Sequence, residues 1–427
     1  MNTTETQENA AIKMNIPFSP PDVGEEEIRE VTEALRSGWI TTGPRTKLLE
    51  RKVADWIGVG RTESDTPRCV CLNSQTACQE MAFHIMGIGA AAGGSAEDEI
   101  IVPAYTYTAS ASVVCHVGAK LVLVDVQKDS LEPDYDALEA LITERTKAIV
   151  PVDLGGIPCD YDRIFEIVNR KKALFRPSNE IQEKLGRVAV MSDAAHAFGA
   201  TYHGKMIGSV ADFSSFSWHA VKNFTTAEGG CLTWNHIDGV DDDKIYRMLQ
   251  LLSLHGQSKD ALAKTKLGMW EYDVVGPWYK CNMTDITAAI GLAQFKRYPA
   301  MLDRRRELIA AYDAALLPLG IETPPHYTER HQSSGHLYLT RIPGVTDETR
   351  REIIVKMAEQ GISCNVHYKP LPMHTAYKKL GFDIIDFPNS YERYANEITL
   401  PLHTRLTDEQ VSYILEHYIR ILKDYIK

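Results

Sequence analysis

Apolar positions along this chain follow two rhythms, and the change from one to the other divides it. From Glu25 to Arg36, Ile28, Val31 and Leu35 recur three or four residues apart, one stripe of a helix that Gly38 would end. Short apolar runs then alternate with helical stretches. Strands are predicted at Cys69 to Leu72, Glu99 to Val102, Lys120 to Val124, Ala148 to Val152, Val188 to Met191 and Gly230 to Trp234, and a helix over about Thr76 to Met86. Such alternation implies an α/β fold, a mostly parallel sheet with helices on both faces. In open sheets of this kind ligands sit at the carboxyl ends of strands, where Asn73, Pro103 and Asp193 fall. From about Pro299 the pattern changes to a long helix through Arg304, Leu308 and Tyr312, then shorter strands around His336 to Arg341 and Ile362 to Tyr368. The expected division is a disordered tail over residues 1–13, a large domain over 14–298 and a small α+β domain over 299–427. Residues 91–96 and 171–186 read as surface excursions.

Composition narrows the class. Hydrophobic residues make up 44% of 427 positions, enough for a sizeable core. A net charge of −11 without clustered Lys and Arg argues against a nucleic-acid surface. The polar start has no apolar core of a signal peptide, and no run reaches eighteen apolar residues, so the expectation is a cytoplasmic protein with no membrane span. Eight scattered cysteines lack Cys-x-x-Cys spacing, which predicts reduced thiols and no metal site. Gly87, Gly89 and Gly93 resemble a glycine-rich nucleotide loop, but they follow a helix and lack the dinucleotide spacing.

The candidate chemistry lies in Lys222, within Ser217 to Gly230, and in Asp193, about thirty residues upstream. A pyridoxal cofactor needs an amine to hold its aldehyde covalently and a carboxylate to keep its ring nitrogen protonated. Any long chain contains such pairs by chance, so their surroundings decide. Thr76 and Ala77 open a helix directly after a strand, which makes an anion site at its positive end, or an ordinary N-cap by Ser74 or Thr76.

Those surroundings resemble the DegT/DnrJ/StrS family of sugar aminotransferases, built on the fold-type I pyridoxal class. Ser217-Trp218-His219-Ala220-Val221-Lys222, followed by Ala227-Glu228-Gly229-Gly230, is similar to the family's lysine signature. Asn73-Ser74-Gln75-Thr76-Ala77 resembles its phosphate loop, with Gln75 where glycine is usual; a positive φ there would resist glutamine. The blocks Ser37 to Pro44, Pro103 to Ser110, Trp278 to Ile286 and Gly361 to Leu371 also resemble family segments, Trp278 and Cys281 departing from the usual Gly and Tyr.

The resemblance implies a large domain with a seven-stranded, mostly parallel sheet, a smaller C-terminal domain and pyridoxal 5'-phosphate. It implies that Lys222 carries the cofactor and moves the proton, that Asp193 pairs with the ring nitrogen, and that Thr76, Ala77 and Ser217 bind the phosphate. Tyr107 would stack on the ring, the alternative being a core tyrosine, and His196 would lie near the phenolic oxygen or serve only structure. Lys280 and Asn282 would reach the neighbouring subunit's site in a homodimer, unless Lys280 is simply solvated, and Thr41, Thr42, His367 and Lys369 would contact a sugar nucleotide. Deoxygenating relatives carry histidine at the lysine position, so Lys222 favours transamination. The expected activity is transfer of an amine from L-glutamate to a nucleotide-linked keto-sugar such as a 4-keto-6-deoxy hexose. A sugar dehydratase on the same fold, or a non-catalytic binding protein, are the competing readings.

Overall fold

A computed structural model describes residues 13–258 and 271–426. All but the last residue of the expected tail, Lys13, lies outside that range. The strands β1 (Cys69–Leu72), β2 (Glu99–Pro103), β3 (Lys120–Val124), β4 (Thr146–Ile149) and β5 (Ala189–Asp193) come first, then the two-residue strands β6 (Thr201–Tyr202) and β7 (Lys205–Met206), then β8 (Phe213–Ser217) and β9 (Gly230–Trp234). Seven of them form one sheet in the order β1-β9-β8-β5-β4-β2-β3. Only β9 runs against the rest, pairing antiparallel with both β1 and β8. The expected mostly parallel, seven-stranded sheet is therefore present. Helices cover both faces, which is why β1, β2, β4, β5 and β9 are buried along their whole length.

One strand of the seven escapes the apolar pattern. In β8, Phe213-Ser214-Ser215-Phe216-Ser217, serines occupy interior positions; Ser214 and Ser215 are buried, and Ser215 Oγ donates to Ser192 O at 3.3 Å. A hydroxyl partnered this way can line a sheet interior that hydrophobicity alone would not suggest.

The first helix, Glu25–Arg36, corrects the expected stripe. Ile28 and Leu35 are each 54% exposed, whereas Glu27 and Ala34 are buried against the helix Asp285–Leu316. Glu27 takes hydrogen bonds from Gln294 Nε2 and Arg297 Nε, both 2.9 Å, and from the Gly24 N–H. Paired charge rather than apolar burial orients this helix.

The helix Asp285–Leu316 passes through Pro299 without a break and joins the sheet to the C-terminal region. There β10 (His331–Gln332) extends the β6–β7 ribbon, and β11 (Tyr338–Arg341) pairs antiparallel with β12 (Glu397–Leu400). Leu308, Ile309, Tyr312 and Leu316 pack with Ile353, Met357, Ile414 and Tyr418 in a second core. Ile16 joins that core and bridges Ile362, so the N-terminal segment is tied to the C-terminal region.

Residues 171–186 are more than an excursion. They contain the helix Glu180–Leu185 and a buried Gln182, whose Nε2 donates to Met86 O at 2.7 Å, while Asn179 Nδ2 donates to Ile85 O at 3.0 Å. The segment thus satisfies carbonyls at the C-terminus of the helix Gln75–Ile85. The glycines at 87 and 89 form the turn after that helix; a Cβ at Gly89 would lie 2.3 Å from Val117 O. They shape a tight chain crossing.

Candidate active site

A cavity of about 880 Å³ opens at the carboxyl ends of β1, β2, β5 and β8 and is closed by residues 365–369 of the C-terminal region. Lys222, Asp193, Tyr107, His196, Ser217, Thr76, His367 and Lys369 all line it. Eight residues read from the sequence as site residues, spread over nearly 300 positions, thus meet in one place.

Asp193 ends β5 and is buried. Its Oδ2 accepts from Ser110 Oγ at 2.6 Å and its Oδ1 from the Ala195 N–H at 3.1 Å. Burial nevertheless raises its pKa, with Ser110, Ala195 and Lys222 opposing the shift. Lys222 follows β8 in a turn closed by its own N–H to His219 O at 2.9 Å. Burial pushes its amine down to about 8, and the charge of Asp193 opposes that shift. Among the described residues Lys222 Nζ has no hydrogen-bond partner. An amine partly neutral near physiological pH and free of partners is a competent nucleophile.

Gln75 does not disturb the loop. It is the first residue of the helix Gln75–Ile85, needs no positive φ, and its buried Nε2 donates to Gln79 Oε1 and Ser215 Oγ, both 2.9 Å. Ser74 caps the helix by accepting from the Ala77 N–H at 3.1 Å, which leaves the Thr76 N–H without an acceptor among the described residues. The helix start fits so closely on β9 because residue 230 is glycine: a Cβ there would lie 2.7 Å from Gln75 N and 2.4 Å from Phe216 O. An anion would meet the free amide and the positive end of the helix.

Tyr107 is 58% exposed, so its ring faces the cavity rather than the core. It lies 5.8 Å from the ring of Tyr368. His196 is buried; its Nδ1 accepts from the Gly155 N–H at 3.1 Å, and its Nε2 lies 3.2 Å from Tyr368 Oη. An Nδ1 that accepts from a backbone amide leaves the proton on Nε2, and burial with Lys222 nearby keeps the ring neutral.

Five site residues read from the sequence do not line the cavity: Ala77, whose N–H is taken by Ser74, and Thr41, Thr42, Lys280 and Asn282. Asn282 Nδ2 donates to Thr42 Oγ1 at 2.6 Å, Thr42 Oγ1 donates to Met283 O at 2.6 Å, and Lys280 Nζ donates to Asn282 Oδ1. Thr41 belongs to the same patch through its carbonyl, which accepts from the Asp285 N–H. Asp285 builds this patch by binding the amides of Gly43, Arg45 and Thr46 at 2.8–3.0 Å, so it caps the helix Pro44–Ile57. Cys281 is buried and Trp278 packs against the large-domain core, so both departures from the usual residues are accommodated.

Residues 21–418 match the model of the DegT/DnrJ/EryC1/StrS aminotransferase family. The chain belongs to that family. It is 37% identical over 417 residues to the spore coat polysaccharide biosynthesis protein SpsC of Bacillus subtilis (strain 168), covering 96% of this chain and 97% of that one. Among solved structures, Spr1654 of Streptococcus pneumoniae, described as a sugar aminotransferase and captured in its PMP form, is 53% identical with a TM-score of 0.91 over 96% of this chain and all of that one. Helicobacter pylori PseC, an aminotransferase involved in the biosynthesis of pseudoaminic acid, is 27% identical with a TM-score of 0.82 over the same shares. As a member of this family the chain is a transaminase, and its cofactor is pyridoxal 5'-phosphate. The residues present fit that group: a partner-free lysine, a buried carboxylate and an unpaired helix-start amide face one cavity.

Three residues in or behind the cavity wall of this aminotransferase were not read from the sequence as site residues. Ser110 orients Asp193, Gly155 fixes the His196 tautomer, and Tyr368 contacts both His196 and Tyr107. Ser110 and Tyr368 lie inside family-like blocks, which was the available hint; Gly155 acts through its backbone, which no residue type encodes.

Proposed function

We propose that this chain is a sugar aminotransferase that moves an amine from L-glutamate to a nucleotide-linked keto-sugar, such as a 4-keto-6-deoxy hexose, in a polysaccharide or glycan pathway. The observation that carries the reading is the meeting of Lys222, Asp193 and the 367–369 segment around one cavity large enough for cofactor and sugar. When bound, pyridoxal phosphate accepts negative charge from the substrate carbon and carries the amine between donor and acceptor.

The chain's own residues do the rest. Lys222 Nζ would hold the cofactor and serve as the base that takes a proton from one carbon and returns it to another. Asp193 keeps the ring nitrogen protonated, and Ser110 keeps Asp193 aimed. Thr76, Ala77 and Ser217 hold the phosphate, Ala77 sharing an N–H now directed at Ser74. Tyr107 would cover the ring, and the His196 Nε2–H would donate to the phenolic oxygen. His367 and Lys369 bind the sugar nucleotide from above, residues 299–427 closing over a cofactor held by 14–298.

The Thr41, Thr42, Lys280 and Asn282 patch completes the site of a second copy in a homodimer, Lys280 reaching its phosphate. Ile40, Leu48, Val274, Val275 and Tyr279, exposed at or near these residues in sequence, supply apolar area for such an interface. The working place of the enzyme is the cytoplasm; no helix among the described residues is long and apolar enough to cross a membrane.

The test is the visible absorption spectrum of the purified protein before and after excess L-glutamate. Loss of the band of lysine-bound cofactor supports glutamate as donor and licenses a screen of keto-sugar nucleotides. A band unchanged by glutamate overturns the choice of donor.

A further inference from the structure

His367 is held in an unusually complete frame. Its N–H donates to Glu397 Oε2 at 2.9 Å, and its carbonyl accepts from Tyr105 Oη at 2.8 Å. The bridge between Asn365 and Thr399 sets its strand beside β12. On the ring, Nδ1 lies 2.9 Å from Thr399 Oγ1, and Thr399 Oγ1 donates to Glu397 Oε1 at 2.5 Å. Phe18 stacks on the ring at 5.5 Å, and Nε2 has no partner among the described residues.

This chain of hydrogen bonds has two self-consistent directions. With Glu397 ionised, Thr399 must donate to the carboxylate, so its oxygen accepts from His367 Nδ1–H and Nε2 presents a lone pair. With Glu397 neutral, its proton sits on Oε1, because Oε2 already receives the His367 amide. That proton goes to Thr399 Oγ1, the threonine hydroxyl turns to Nδ1, and the ring proton moves to Nε2. We infer that Glu397, through the Thr399 hydroxyl, is a positioning residue that sets which nitrogen of His367 carries the proton. It thereby decides whether the ring offers the sugar a hydrogen-bond donor or an acceptor. The donor form suits a ketone oxygen, which can only accept; the acceptor form suits the amine of the product. The assignment of a sugar ligand rests on the function proposed above, but the proton position does not.

Both states lie within reach of working pH. Burial pushes Glu397 up to about 8, opposed by Thr399, the His367 amide and the charge of Arg350. Arg341 lies opposite Glu397 in the β11–β12 ladder but its guanidinium is paired with Glu322 and Glu392, and Arg393 lines a cavity that Glu397 also borders. Tyr105, Tyr368, Tyr418 and Cys364, which also feel the charge of Glu397, are all raised by burial and stay neutral there. The His367 ring is depressed to about 3 by burial and the charge of Lys222, so it changes tautomer rather than charge. His196 has no such freedom, because a backbone amide cannot reverse.

The experiment is nitrogen NMR of the ¹⁵N-histidine-labelled full chain loaded with pyridoxal phosphate, at pH about 6.5 and about 9.5, with the His367 signal identified by its loss in His367→Gln. The expected result is a proton on Nε2 at the lower pH and on Nδ1 at the higher. Glu397→Gln, whose amide can only donate to Thr399, should keep it on Nε2 at both. Thr399→Val should abolish the response and Thr399→Ser restore it, which keeps the test open if Glu397→Gln does not fold. As a second reading, KM for the keto-sugar should rise above pH 8 in the wild type and not in Glu397→Gln, with kcat following one curve in both. A His367 signal with one tautomer at both pH values, or the same pH response in Glu397→Gln, overturns the inference. If the tautomer moves as expected but no keto-sugar is turned over, the function proposed above fails and the relay stands.

Discussion

The cavity around Lys222 and the patch around Lys280 each present a lysine, a hydroxyl-bearing residue and an amide, yet they differ in kind. Lys222 has lost much of its hydration and has no hydrogen-bond partner among the described residues; Lys280 is exposed and paired with Asn282. Burial has prepared the first amine for chemistry, while the second remains a surface cation until something covers it. The contrast teaches that residue type supplies a reagent but desolvation makes it reactive.

The contrast breaks most sharply when the buried amine is removed. Lys222→Ala should lower kcat about 10⁴-fold or more, since covalent attachment and proton transfer vanish together. Asp193→Asn, in which charge alone is lost, should lower kcat about 10²–10³-fold with a smaller change in cofactor affinity, measured by titration of the apoprotein. Lys280→Ala should cost about tenfold in cofactor affinity. Refolded together with Lys222→Ala, this variant should regain tight cofactor binding in the mixed dimer's Lys222-bearing site; no recovery would place Lys280 outside the neighbour's site. For cofactor capture by apoprotein, the neutral amine reacts and the ammonium does not. The stopped-flow rate should therefore climb with pH up to about 8 and then level. Smallest of all, Lys222→Met should stabilise the apoprotein by about 1–3 kcal/mol in urea titration, because a buried ammonium is gone, and Lys280→Met should change it by less than about 0.5 kcal/mol.

What could be read from the sequence follows the same physics. Apolar runs buried on both faces announced β1, β2 and β4, and the lysine signature announced the cofactor. Strand β8 stayed hidden because serines interrupt its apolar run, and the partners of Ser215, Gln75 and Ser192, are ones only the fold brings close. The Ile28–Leu35 stripe misled because Glu27, Gln294 and Arg297 made a polar contact the preferred one. Gln75 looked like a misfit because its partners, Gln79 and Ser215, are four and 140 positions away. In the relay, Glu397 and Thr399 carry no motif; only pairing of β12 with the 365–367 segment brings them to His367.

The amides of Asn179 and Gln182 act on a helix whose other end faces the cavity, about 16 Å away along its axis. A rod anchored at its far end cannot recoil when a charged group arrives at its near end. If the helix start seats a phosphate as proposed, residues 171–186 act as its ballast: they remove axial play, so that each incoming anion finds the same landing height. Shortening it should leave the cavity's residues intact and blur where they stand.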